Sequence, residues 1–230
     1  MSLPPLCNLF AAHHPDPAAL SALEEKLRAG GEFAEVWRPA PGWVAAAAPL
    51  PHGDPDSPAV REAGLAFAEG REKIATALSG DASTRFRQVA DLAARNPERL
   101  ATLRGDFGFI CFEADGAAMV VRSCGGLAPF YLAAVGDWRV VSTRLGDHAR
   151  CPAREPEIDR LVAALWASSI PTSPDRRTFL QGVSMVGRSE FARLAPGRPI
   201  TYGRYWDPRP ERVEAPTPAR AQEHAQRLRQ

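Results

Sequence analysis

Cys7, Cys111, Cys124 and Cys151 are the only thiols in the 230 residues, and none lies in a Cys-x-x-Cys pair that would hold zinc or form a redox dithiol. They read as reduced cysteines. His13 and His14, followed by Asp16, offer metal-ligand atoms, but adjacent histidines point in different directions, and Asp16 just before Pro17 has the position of a helix N-cap. His52, His148 and His224 are isolated. The chain has neither a Gly-x-Ser-x-Gly nucleophile elbow nor a Gly-x-x-x-x-Gly-Lys-Ser/Thr phosphate loop. Any chemistry must therefore come from residues that the fold brings together.

The elements that would position them can be read in order. Residues 7–12 (Cys-Asn-Leu-Phe-Ala-Ala) form a short apolar run suited to a buried strand. A helix follows, in which Asp16 caps, Pro17 takes the first helical position, Leu20, Leu23 and Leu27 share a face, and Gly30-Gly31 ends it. Residues 39–58 are proline-rich around one short apolar strand at 43–50. Helical spacing resumes at Phe86, Val89, Ala90 and Ala93, and again at Leu100 and Leu103, with Pro97 and Gly105 as punctuation.

From Asp106 the pattern changes to strands. Residues 107–113 and 117–124 flank Asp115-Gly116, a pair with the composition of a type I′ turn, and residues 129–135 and 138–143 flank Gly136-Asp137 in the same way. Two successive hairpins predict a four-stranded antiparallel meander. In its first strand Phe107, Phe109 and Cys111 lie on one side and Ile110 and Phe112 on the other, so both faces should be covered. With helices before it and another after (Ile158, Leu161, Val162, Leu165), the expected class is α+β, with helices outside and sheets inside.

Composition narrows the partners. Lys+Arg 28 against Asp+Glu 27, with 45% hydrophobic residues, predicts a soluble globular body and argues against the clustered basic surface that nucleic acid or an anionic membrane recruits. The longest apolar stretch falls far short of the roughly 20 residues needed to cross a bilayer. No basic-then-apolar leader opens the sequence, so the expected compartment is the cytoplasm. Residues 209–220, rich in Pro and Arg, read as a linker, and residues 217–230 open a helix at Thr217-Pro218 that has no C-cap.

Five segments, taken in order, carry a resemblance. They are Leu103-Arg104-Gly105-Asp106-Phe107-Gly108-Phe109, then Val121-Arg122-Ser123-Cys124-Gly125-Gly126-Leu127-Ala128-Pro129-Phe130-Tyr131, then Thr178-Phe179-Leu180-Gln181-Gly182-Val183, then Leu194-Ala195-Pro196-Gly197, then Arg204-Tyr205-Trp206-Asp207-Pro208. Together the region 103–208 resembles the N-terminal glutamine-amidotransferase domain of asparagine synthetases and their relatives, which include lasso-peptide cyclases and β-lactam synthetases. The resemblance implies the N-terminal-nucleophile (Ntn) hydrolase fold, a four-layer αββα sandwich of two antiparallel sheets. It implies that residues 1–208 are this domain, and that 209–230 are the linker and first helix of an ATP-dependent synthetase domain. ATP and magnesium would be used there, no cofactor is expected in this segment, glutamine or a substrate carboxylate would be the ligand, and a homodimer is left open. The family's Ser-Gly-Gly-x-Asp-Ser loop has no match here; Ser79-Gly80-Asp81-Ala82-Ser83 lacks the paired glycines.

Family chemistry uses a cysteine at the start of the mature chain, whose free α-amine is the general base for its own thiol. Cys7 is the candidate, yet six residues precede it, so it serves only if the chain is processed; otherwise it is a buried cysteine of the first strand. Ser2 would be terminal once Met1 is removed, but lies outside the strand register. The family's oxyanion-stabilising Asn-Gly overlays Glu69-Gly70, which sets a carboxylate where a neutral amide donor should face developing negative charge. The arginine that clamps the glutamine carboxylate overlays residues 45–50, which carry no charge. Arg38, ahead of Pro-Ala-Pro-Gly, matches another family arginine or is a solvated surface charge, and Asp106 either contacts the substrate amine or enters a hairpin. The expectation is a retained fold with poor or absent glutamine hydrolysis.

Overall fold

The computed structural model describes residues 7–49, 61–62, 65–69, 82–103, 107–125, 129–150, 155–168 and 175–207. Among them are twelve strands in two sheets, and every neighbouring pair is antiparallel. The first sheet runs β10 (Val183–Met185), β8 (Tyr131–Val135), β9 (Trp138–Ser142), β1 (Cys7–His13), β3 (Trp43–Pro49), β2 (Glu35–Trp37) from edge to edge. The second runs β12 (Thr201–Arg204), β11 (Glu190–Leu194), β7 (Ala118–Arg122), β6 (Gly108–Phe112), β5 (Leu65–Glu69), β4 (Arg61–Glu62). No helix among the described residues is long and apolar enough to cross a membrane.

Strand alternation sends successive side chains to opposite faces, and here both faces are apolar. From β6, Ile110 and Phe112 enter a core between the sheets with Leu9, Ala11, Trp43, Val120, Phe130 and Val141. Phe109 and Cys111 face the other way, into a second core with Val89, Ala93, Leu100, Leu103 and Tyr205. A third core sets Phe10, Val44 and Val140 of the first sheet against Leu20, Leu23 and Leu27. Those leucines belong to α1 (Pro17–Ala29), while Val89 and Ala93 belong to α2 (Ala82–Arg95) and Leu100 to the 3-10 turn Pro97–Thr102. Three cores between four layers make the αββα sandwich that the doubly apolar strand required.

Local signals fixed the helices. Asp16 accepts the Ala18 N–H at 2.9 Å at the N-cap of α1, and the chain leaves the helix through Gly31 at φ +65°. Beyond the sandwich core, Asp159 caps α3 (Arg160–Ala167) by accepting the Leu161 and Val162 N–H groups. Only Val162 of α3 is buried; Leu161 is 47% exposed and Ile158, before it, 66%. The apolar face expected to cover a sheet is therefore largely open.

The meander is not formed. The hairpin β6–β7 lies in the second sheet and the hairpin β8–β9 in the first, so the chain changes sheet between Arg122 and Tyr131 and β7 pairs with β11 instead of β8. The turns differ from type I′ as well, which needs positive φ at both central residues. Gly116 (φ +83°) is left-handed but Asp115 is not, and Gly116 N–H donates to the Glu113 carbonyl at 3.1 Å. That is a type I turn followed by a left-handed glycine, the G1-bulge form of hairpin. In the other hairpin only Gly136 (φ +55°) is left-handed, the sign pattern of type II′.

Candidate functional site

The sheets stack in register order. Ser184 of β10 hydrogen-bonds Tyr202 of β12, β1 faces β5, and the Trp43 indole N–H of β3 donates to the Gly116 carbonyl at 2.6 Å. His13, Trp43 and Phe112 therefore mark one end of the sandwich, with Trp43 and Phe112 rings 5.4 Å apart. Cys7, opposite Pro49, and Glu69, opposite Gly108, fall at the other end, on strands that face each other. Ala68 is bypassed in the β5–β6 ladder, a bulge immediately before Glu69. Gly70 and Asp106 lie outside the described residues.

The start of β1 is held from one side by backbone and from the other by a side chain. Residues Cys7, Asn8 and Leu9 pair with Pro49, Ala48 and Ala47 of β3, whereas regular pairing with β9 begins only at Phe10–Ser142. Thr143 takes over there: its hydroxyl accepts the Leu9 N–H and its own N–H donates to the Leu9 carbonyl, both at 2.9 Å. Ser142 donates its hydroxyl to buried Asp147 at 2.6 Å, which fixes the loop behind it. Past Trp43, toward the Cys7 end, the β3 side chains described between the sheets are small, Ala45 and Ala47.

Along the same end, the second sheet aligns Glu69, Gly108, Arg122, Glu190 and Arg204 in one cross-strand row. Glu190 is 4% exposed and follows the inward alternation of Ala192 and Leu194. Its carboxylate accepts from Arg176 Nε at 3.1 Å and Nη2 at 3.0 Å, from the Gly187 N–H at 3.1 Å and from Arg204 Nη2 at 3.2 Å. Arg122 donates to the Val186 carbonyl at 3.0 Å, so both residues clasp the stretch that carries the chain from β10 in one sheet to β11 in the other. Arg176 also lies over the Tyr202 ring, 4.4 Å from its centre. Burial raises the Tyr202 hydroxyl, opposed by its Ser184 bond and by Arg176. Of the side chains described in this cluster, three are guanidiniums against two carboxylates, buried Glu190 and, 3.6 Å from Arg204, Asp207, a setting that favours a carboxylate or amide ligand over a cation.

Glu190 and Arg176 are not among the sequence-based candidates. The signal for Glu190 was present: in Glu-Phe-Ala-Arg-Leu the alternation that buries Ala192 and Leu194 also buries Glu190, and a buried carboxylate demands cationic partners. Arg38 stands apart from this cluster. Its guanidinium bonds Glu24 at 2.8 Å and Ser21 at 2.9 Å on α1, outside the first sheet. Trp37 pairs with Ala45, four residues or about 13 Å along β3 from the position opposite Cys7. Arg38 is thus paired on the surface of α1, away from the head of β1.

His13 is at the opposite end of β1 from Cys7, and His148 Nε2 sits 3.1 Å from the Tyr131 carbonyl. Among the described residues no group of three His, Cys, Asp or Glu side chains could hold a metal ion, and Asp16 is engaged as the helix cap.

No protein-family model and no curated protein matches the sequence. Solved structures similar in outline include an allosteric regulatory enzyme of purine biosynthesis, at 11% identity and a TM-score of 0.46, matched over 87% of this chain and 49% of that one. Another is the glutamine phosphoribosylpyrophosphate amidotransferase of B. subtilis complexed with ADP and GMP, at 12% identity and a TM-score of 0.28, over 87% of this chain and 29% of that one. The chain spans about half the length of the first and less than a third of the second.

Proposed function

We propose that residues 1–208 are an amidotransferase-type domain of the Ntn-hydrolase class, the front part of an asparagine-synthetase-like enzyme that uses ATP to form an amide from a carboxylate, and that its own glutaminase site is degenerate. The observation that carries this reading is the pair of face-to-face antiparallel sheets in which Cys7 opens an interior strand of one. Two facts support degeneracy. Ala45 and Ala47 line the intersheet face of β3, where the family's carboxylate-clamping arginine would have to stand. Glu69, which the resemblance overlays on the family's neutral oxyanion donor, ends β5 opposite Gly108. On this reading the ammonia or amine is supplied by something other than glutamine cleaved here.

Ammonia release from glutamine tests it, measured on the chain as written, on a chain beginning at Cys7, and on each with Cys7→Ala. Negligible release from all four is the expected result. Turnover that Cys7→Ala abolishes would overturn the degenerate site while leaving the fold assignment intact. A Ser-Gly-Gly-x-Asp-Ser loop encoded soon after Gln230 is expected for the synthetase assignment.

A second reading, a non-catalytic scaffold or binding module, is favoured by one feature. Ile158, Leu161, Trp166 and Phe179 are 66%, 47%, 49% and 36% exposed, and the Trp166 and Phe179 rings lie 5.3 Å apart, an apolar surface suited to protein contact.

A further inference from the structure

At the end of the sandwich away from Cys7, a buried guanidinium has no counter-ion among the described residues. His13 and Arg139 are directly opposite in the β1–β9 register, and they are 5% and 7% exposed. Arg139 Nη1 donates to the carbonyls of Gly136 and Trp138, both at 2.9 Å, and Nη2 to that of Arg198 at 3.1 Å. Every one of these acceptors is a neutral carbonyl. Among the described residues Arg139 Nε is buried without an acceptor and His13 Nδ1 without a partner.

Buried charges in proteins are ordinarily paired, because stripping water from an ion is repaid only by an opposite charge with well-placed hydrogen bonds. Carbonyl dipoles satisfy individual N–H groups but leave the net charge in place. A water molecule could bridge the orphaned nitrogens, yet it too would leave the cation uncompensated. An anion satisfies all three demands at once, taking one N–H from Arg139 Nε, one from His13 in its Nδ1–H tautomer, and neutralising the charge.

Backbone closes on the Nε2 edge of the imidazole, the edge away from Nδ1. Gly42 (φ +74°) and Gly116 (φ +83°) both bound the imidazole; a Cβ on Gly42 would stand 2.5 Å from His13 Nε2 and one on Gly116 3.6 Å from it. Trp43 walls the ring edge-on at 5.4 Å. From the second sheet, the turn at Pro196-Gly197 (φ +66°) presents the Arg198 carbonyl to Arg139, so the guanidinium is a bridge between the sheets. The charged groups acting on His13 are Arg139 across the ladder and His14 beside it, neither of them an acid.

We propose that His13 and Arg139 form a site for one small monovalent anion, a halide or the carboxylate of a small organic acid, at the closed end of the intersheet core. Occupancy locks Arg139 onto the turn at residues 195–198, and so couples anion binding to the joining of the two sheets.

Crystals soaked in sodium bromide test the site directly, and thermal unfolding in bromide, acetate and fluoride at constant ionic strength tests it in solution. The expected results are an anomalous peak between Arg139 Nε and His13 Nδ1, and a saturable rise in Tm with bromide that Arg139→Gln loses and Arg198→Gln keeps. A rise with acetate as well assigns the site to carboxylates, and a rise with bromide alone to halides; either supports the site. If Arg139→Gln does not fold, the wild-type soak decides. A bromide-soaked crystal with no anomalous peak there, together with a Tm indifferent to the anion, would overturn the proposal.

Discussion

Replacing Glu190 by glutamine should cost the fold about 2–3 kcal/mol, the largest effect of any single change in the cross-strand row at the Cys7 end. The carboxylate receives hydrogen bonds from Arg176, from Arg204 and from the Gly187 N–H. The amide keeps one acceptor oxygen and turns an N–H pair toward a guanidinium. Removing one partner of a fully buried pair costs about 3–5 kcal/mol. Here Arg176 is 37% and Arg204 55% exposed, so the freed guanidiniums regain water and the penalty falls below that range. Arg204→Ala, at the exposed side, should cost only about 0.5–1 kcal/mol. Arg176→Ala should fall between, about 1.5–2 kcal/mol, since it also removes the contact over Tyr202. Urea unfolding followed by tryptophan fluorescence reads all three, with the m-value unchanged. Should Glu190→Gln lie within about 0.5 kcal/mol of the parent, or Arg204→Ala cost more than Glu190→Gln, Glu190 is not the hub of this end.

Gly42→Ala forces a left-handed residue and drives a Cβ to 2.5 Å from His13 Nε2, so a loss of about 2–4 kcal/mol is expected in urea unfolding; Gly31→Ala, also left-handed but with nothing near its Cβ, should lose only about 1 kcal/mol. Burial pushes the Cys111 thiol up to about 12, helped by Glu113 and Asp91, whereas Cys124 is exposed. Iodoacetamide near pH 8 should therefore alkylate Cys124 and spare Cys111 until the protein unfolds, and peptide mass spectrometry showing early Cys111 labelling would refute its burial. Burial first, then Arg139 and His14, hold the His13 pKa below its usual value near 6.5. The unfolded chain binds that proton more readily, so stability is fully present above about pH 6.5 and declines as the pH falls through it toward the folded value. In chloride-free buffer, His13→Gln should flatten that decline in urea midpoints; an unchanged acid slope would rule out His13 as its source.

What the sequence disclosed and withheld follows from the range of the forces involved. Asp16, Pro17 and the three leucines specify α1 because capping and helical spacing act within a few residues. The two apolar faces of β6 disclosed that something must cover each. Which strands do so is a long-range question. β7 takes β11 as its neighbour across more than sixty intervening residues, and nothing in Ala-Met-Val-Val-Arg distinguishes that partner from β8. Asp-Gly composition was read as a two-residue turn because Gly116 is left-handed in both turn types; only the conformation of Asp115 separates them. At the Cys7 end, Arg122 and Arg204 lie within the family segments, but only the pairing of β7, β11 and β12 brings them beside Glu190, and no local pattern reports that pairing.

The five segments behind the family resemblance turn out to be joints of the sandwich. Phe107 and Phe109 fill the core beneath α2, and Tyr205 stacks on Phe107 while its hydroxyl donates to the Arg122 carbonyl at 2.8 Å. Phe130 is wholly buried between the sheets, and the Thr178 hydroxyl donates to the Val183 carbonyl at 2.9 Å to set the entry into β10. Pro196 and Gly197 occupy the central positions of a turn closed by Arg198 N–H to the Ala195 carbonyl at 3.2 Å, with the positive φ at Gly197 that a type II turn requires. Each of these contacts would be needed in any sandwich of this topology, whether or not it cleaves an amide. Such segments can therefore outlast the loss of a catalytic function. A degenerate site is proposed not on these joints but on the intersheet face of β3, where Ala45 and Ala47 present methyl groups.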